Sequence, residues 1–132
     1  MLWGLAAAAC AGENPTQPRR ASLDQPFELQ PGQTALLGSE DLRVTFEKVS
    51  EDSRCPQGAT CVWEGDAAVK LAVVQGTQEK SSLELHTSRR FSTEGRYLRY
   101  RVVLEAVAPQ PKLGTALEAQ SYRVTLSVKA AP

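Results

Sequence analysis

The chain has 132 residues, 42% of them hydrophobic and 23% charged, which fits a single globular domain with its own core. Fifteen Lys and Arg balance fifteen Asp and Glu, so no global field draws the protein toward nucleic acid or an anionic membrane. Locally the signs separate: Glu40 to Asp66 carries seven acidic and three basic residues, whereas Arg89, Arg90, Arg96, Arg99 and Arg101 face only Glu94.

At the amino terminus, Leu2-Trp3-Gly4-Leu5-Ala6-Ala7-Ala8-Ala9 is apolar and uncharged. It has the length of a signal-peptide core and falls far short of the roughly 20 residues that span a bilayer. Residues 1–9 are therefore expected to direct export. Ala7-Ala8-Ala9-Cys10-Ala11 resembles a bacterial lipobox, in which small residues precede a cysteine that takes a diacylglycerol on its thiol before cleavage. The resemblance implies a lipid anchor on Cys10 in the cell envelope. Ala7 stands where such sites usually carry leucine, and no Lys or Arg precedes the apolar run. Cleavage by the ordinary signal peptidase, giving a soluble periplasmic or secreted protein, is the alternative. Residues 10–24 are polar, contain Pro15 and Pro18, and show no apolar period, so they read as a flexible tether.

From residue 25 to residue 132 the dominant signal is alternation with period two, the mark of half-buried strands. Phe27 with Leu29 and Ala35 with Leu37 flank a turn at Gln30-Pro31-Gly32-Gln33, where proline presets one backbone angle and glycine permits a positive one. Leu42, Val44 and Phe46 alternate with Arg43, Thr45 and Glu47, but Val49 falls on the opposite phase, which predicts a bulge near Glu47 or Lys48. Val69, Leu71 and Val73 form a strand with apolar residues on both faces, followed by a hairpin at Gly76-Thr77-Gln78 and a shorter strand with Leu83 and Leu85. Leu98, Tyr100, Val102, Leu104 and Ala106 read as one inward face, opposed by Tyr97, Arg99, Arg101, Val103 and Glu105. Residues 112–120 read as a loop with a turn, because Pro109 and Pro111 precede a short apolar pattern. Tyr122, Val124, Leu126 and Val128 form the most regular strand. About seven short strands and almost no helix predict an all-β fold: a single antiparallel β-sandwich of immunoglobulin-like size, with a small barrel as second choice.

The segment Asp52-Ser53-Arg54-Cys55-Pro56, followed by Gly58, Cys61, Trp63 and Gly65, is the densest motif. Three cysteines are an awkward number in an oxidising compartment; acylation of Cys10 leaves Cys55 and Cys61 to pair as a disulfide. Such a short closed loop stabilises the fold by about 2 kcal/mol on chain entropy. The motif resembles that of exported bacterial proteins, many of them lipoproteins, to which no activity is assigned. The resemblance spans the sandwich and implies export and the disulfide, not a mechanism. Arg54, Trp63, Glu64 and Asp66 are the candidate residues of a rigid recognition loop, the alternative being a stapled crossover loop with no contact role.

Other chemistries are weaker. Two thiolates and His86 fall short of the four ligands zinc takes. Glu51, Asp52, Glu64 and Asp66 offer oxygens for calcium, but in no dedicated loop spacing. His86 lacks a nucleophile elbow around Ser81, Ser82 or Ser88 and reads as a surface histidine. Tyr97, Arg99 and Arg101, on one strand face, form a candidate anion-binding surface for lipid headgroups, glycans or an acidic protein. Their plain alternative is a charged outer face balanced by Glu47, Glu84 or Glu105 on neighbouring strands. The expected function is a non-catalytic, membrane-tethered binding or assembly module with no cofactor, no metal and an envelope protein or glycan as partner. An inhibitor presenting the disulfide loop to an envelope enzyme, and a small hydrolase or calcium-binding protein, are the alternatives.

Overall fold

The computed structural model describes residues 17–130; the apolar segment, Cys10 and the first part of the expected tether lie outside them. Nine strands follow in chain order: β1 (Arg19–Arg20), β2 (Phe27–Leu29), β3 (Thr34–Leu37), β4 (Leu42–Asp52), β5 (Ala67–Gln75), β6 (Ser81–His86), β7 (Glu94–Tyr97), β8 (Tyr100–Ala108) and β9 (Arg123–Ala130). They form one sheet in the order β1-β3-β4-β5-β6 and another in the order β2-β9-β8-β7. The sheets stay separate, so the architecture is the sandwich rather than the barrel.

The period-two residues make the core. Leu42, Val44 and Phe46 on β4, Val69, Leu71 and Val73 on β5, and Val124, Leu126 and Val128 on β9 are all buried, and the two sheets close over them with Leu29, Leu37, Leu85, Tyr100 and Val102. The expected bulge sits in β4, where the register with β5 shifts between Phe46 and Lys48 and again between Val49 and Glu51. The first of these shifts accounts for the phase change at Val49. The turn at Gln30–Gln33 forms as expected, with Gly32 at φ 85° and the Gln33 amide donating to the Gln30 carbonyl.

Two expectations need correction. The tether was expected to run to residue 24, yet Arg19 and Arg20 pair in parallel with Ala35 and Leu36, and Ala21 and Leu23 pack on the core. Two parallel-paired residues are too few to show a period, so polarity alone read as linker. The strand expected from Tyr97 to Ala106 is in fact two strands joined by a two-residue turn at Leu98 and Arg99, with Tyr97 paired opposite Tyr100. The turn brings Tyr97 and Tyr100 onto the same inward face despite their opposite parity. Tyr97 is buried, Leu98 is 55% exposed at φ 54°, and a bulge after Leu104 turns Ala106 outward.

The chain direction defines two ends. β4, β6 and β8 finish, and β5 and β9 begin, at the end where Asp52, Ala67 and Ala108 lie; this is the disulfide end. The opposite end carries the Leu98 turn, the Gly76 hairpin and a single 3-10 turn at Gly38–Glu40.

Candidate functional site

Beyond the paired ends of β4 and β5 the two chains stay bonded as an irregular extension. The Ser53 amide donates to the Asp66 carbonyl at 2.7 Å and the Cys55 amide to the Glu64 carbonyl at 2.9 Å. Gly65 makes this approach possible: it has φ 78°, and a Cβ there would lie against the Ser53 carbonyl and 2.7 Å from Arg54 Cα. No other residue type fits that position without moving backbone.

Two polar clusters brace this root. In the first, Asp52 accepts from Arg54 through Nε and Nη2, both at 2.8 Å, and from the Tyr122 hydroxyl at 2.8 Å. The same guanidinium donates to the carbonyls of Val107 at 2.8 Å and Pro109 at 3.0 Å, tying the loop to the far sheet. Burial alone would raise the Asp52 carboxyl, but the hydrogen bonds from Arg54 and Tyr122 outweigh it and hold the group below its ordinary range. Burial, then the bond to Asp52, pushes the Tyr122 phenol up to about 12. In the second cluster the buried Asp66 takes His86 Nδ1 at 2.6 Å and the Ser88 amide at 2.9 Å. His86 is therefore half-buried and paired with Asp66, where a surface histidine is expected from the sequence.

Above the root stands the stapled apex. Cys55 and Cys61 form the disulfide, with Cα atoms 6.0 Å apart. Val62 beside it is 102% exposed, and the half-buried Trp63 lies under the Arg90 guanidinium, 4.7 Å from the ring centroid. That stacking holds the indole in place at little entropic cost. The loop is also backed by residues 111–113: the Gln57 amide donates to Pro111 and the Leu113 amide to Gln57. Phe91 stands next to Arg90, its ring 4.9 Å from that of His86.

Of the four candidate recognition residues, the structure keeps two at the surface and takes two inward. Trp63 and Glu64 face the rim, with Glu64 accepting from the Ser88 hydroxyl at 3.3 Å. Arg54 and Asp66 brace the root instead, because their donors and acceptors are committed within the fold. The same commitments disperse the calcium candidates: Asp52 and Asp66 are bonded in separate clusters. Among the described residues no three His, Cys, Asp or Glu side chains are placed to hold a metal ion. The Ser88 hydroxyl donates to Glu64 at 3.3 Å and accepts from the Arg90 amide at 3.2 Å.

The candidate anion face is not assembled. The Tyr97 hydroxyl donates to the Glu79 carbonyl and accepts from the Gln75 amide inside the fold. Arg99, at the turn, pairs with Glu40 at 3.0 Å, and Arg101 lies 3.7 Å from Glu94. The plain reading of charges paired on the outer surface describes these arginines, although the partners are Glu40 and Glu94.

Sequence reasoning missed Val62, Arg90, Phe91 and Leu113 as members of the disulfide end. Only Val62, an apolar residue next to Cys61 in a polar loop, carried a local signal. No family model, no curated protein and no solved structure matches the chain.

Proposed function

We propose that the chain is a non-catalytic binding or assembly module of the bacterial envelope, anchored through acylated Cys10, which meets its partner with the disulfide end. The disulfide fits an oxidising compartment, and among the described residues no helix is long and apolar enough to cross a membrane. The single observation that carries the reading is the contrast at one loop: a fully exposed Val62 and a clamped Trp63 on top of a root whose charges are internally satisfied. Rigid aromatic and apolar groups held this way offer contact area without an ordering cost on binding. The resemblance of the loop to those of exported lipoproteins supports the compartment and leaves the partner open.

The test is capture from envelope extracts by the full chain and by Trp63→Ala. Lost capture with an unchanged melting temperature supports recognition by the loop; unchanged capture overturns it. Intact-mass measurement of the mature protein should show an acyl addition on Cys10, and its absence sinks the anchor.

A further inference from the structure

The β4–β5 connection is fastened by two different means. Its root is held by hydrogen bonds, backbone to backbone at Ser53–Asp66 and Cys55–Glu64, with the side chains of Asp52, Arg54, Tyr122, Asp66 and His86 around them. Further up, the Gln57 amide donates to Pro111 and its carbonyl accepts from Leu113, while Trp63 lies under Arg90. Between Gln57 and Trp63 such fastenings give out. The Ala59 amide donates to the Pro56 carbonyl at 3.1 Å, a bond inside the loop. Among the described residues Gly58, Thr60, Cys61 and Val62 make no hydrogen bond and no ion pair. The stretch 58–62 is thus fixed by the Cys55–Cys61 bond.

That bond is open to attack from solvent. Thr60, Cys61 and Val62 are exposed whereas Cys55 is half-buried, so an incoming thiolate meets the Cys61 sulfur first. No charged residue stands between Cys55 and Cys61, so no side chain inside the ring repels an anion. Exposed disulfides are the ones that exchange with external thiols. The root bonds at Ser53, Asp52 and Asp66 do not pass through either sulfur, so none of them has to open for the exchange.

We propose that Cys55–Cys61 is a redox switch on residues 58–62, closed when oxidised and opened by a dithiol reductant while the sandwich stays folded. A thiolate of the dithiol attacks Cys61 Sγ, the Cys55–Cys61 bond breaks, and Cys55 leaves as a thiolate that takes up a proton. The second thiol of the reductant, deprotonated, attacks its own sulfur in the mixed disulfide and releases Cys61, which is protonated in turn. Two electrons and two protons pass from the dithiol, which ends as a disulfide, to the cysteine pair. Cys55 Sγ lies 3.8 Å from the carbonyl oxygens of Pro56 and Ala59, so its new S–H has acceptors at hand. Opening the ring returns conformational freedom to the residues it closed. Val62, next to Cys61, is then no longer presented in one conformation. The inference deepens the binding-module reading by giving its loop a regulation, and rests on that reading for what the switch controls.

The reagent is dithiothreitol, acting without denaturant on the full chain with Cys10→Ser, which leaves Cys55 and Cys61 as the only cysteines. The rate of reduction, read by alkylation and intact mass, should rise in proportion to dithiothreitol concentration, as direct attack on the folded protein requires. Backbone order parameters at residues 58–62 should fall on reduction from about 0.85 to below about 0.6. The Ser53 amide, bonded to the Asp66 carbonyl, should keep its protection from hydrogen exchange. Cys55→Ser with Cys61→Ser should give the reduced profile without reagent. A rate that levels off at the rate of global unfolding, unchanged order at 58–62, or loss of Ser53 protection on reduction each overturns the switch. These results leave the module reading in place, because that reading stands or falls with capture by Trp63→Ala.

Discussion

The root and the apex of the β4–β5 connection differ in how their side chains are used. At the root, Asp52 is bonded to Arg54, whose guanidinium also reaches carbonyls of the β8 strand and its exit, and Asp66 is bonded to His86 and the Ser88 amide. At the apex, a few residues away, Val62 is fully exposed and Cys61 lies in solvent beside it. Charge near a conspicuous motif therefore serves the loop's own structure here: the charges fix the loop, and the apolar Val62 is what it exposes. Each variant below separates these two parts.

The largest effect is expected at Gly65. Gly65→Ala places a Cβ against Ser53 and Arg54 in a left-handed conformation, and should cost roughly 3 kcal/mol or more in a denaturant titration. Gly58, nearer the apex, is also left-handed at φ 94° but has room for a Cβ, so Gly58→Ala should cost only about 1 kcal/mol. Equal costs would break the distinction between root and apex.

Arg54→Ala comes next. It leaves Asp52 without its main partner and two carbonyls without a donor, and should destabilise by about 3 kcal/mol. Arg54→Lys should recover only part of this, because one ammonium cannot reproduce the fork that spans Asp52, Val107 and Pro109. Reduction of Cys55–Cys61 should cost about 2 kcal/mol while leaving the cluster at Asp52 intact.

Tyr122→Phe should cost about 1–2 kcal/mol at neutral pH, as loss of a bond to a charged acceptor. Its pH dependence has a definite sign. Asp52 is lowered in the folded protein, so as pH falls through the carboxylate range the unfolded chain takes up the proton first. The stabilisation is present above the ordinary value of 3.8 and is lost as pH drops through the lowered one. Tyr122 is raised, so its contribution is complete below the ordinary value of 10.0 and is lost as pH rises through about 12. Tyr122→Phe should flatten the alkaline limb of a stability profile and weaken the acid limb; identical limbs in the variant would separate the phenol from Asp52. The smallest stability effect belongs to the apex: Val62→Asp should change stability by no more than about 0.5 kcal/mol.

Much of this fold was legible because alternation is a local signal. Tyr122 to Val128 and Leu42 to Phe46 declare a buried face within a few residues, and the phase slip at Val49 located the bulge. The Cys55 and Cys61 pairing was legible from cysteine number and spacing. What failed depends on distant partners or silent turns. The Leu98 turn carries no glycine or asparagine, so alternation runs straight through it and places Tyr97, which is buried, on the outer face. Arg54 finds its carbonyls 53 and 55 residues away, which no spacing in the motif could show. Arg90 and Leu113 reach the disulfide end through the sandwich topology, not through their place in the chain.

The contact surface can be located directly by placing a photoreactive amino acid at position 62 or, as a control, at position 98, and irradiating whole cells. Adducts to lipid or to envelope protein from position 62, with none from position 98, are the predicted result. Adducts from position 98 alone, or from neither position, would contradict the assignment of the disulfide end as the surface through which this protein acts.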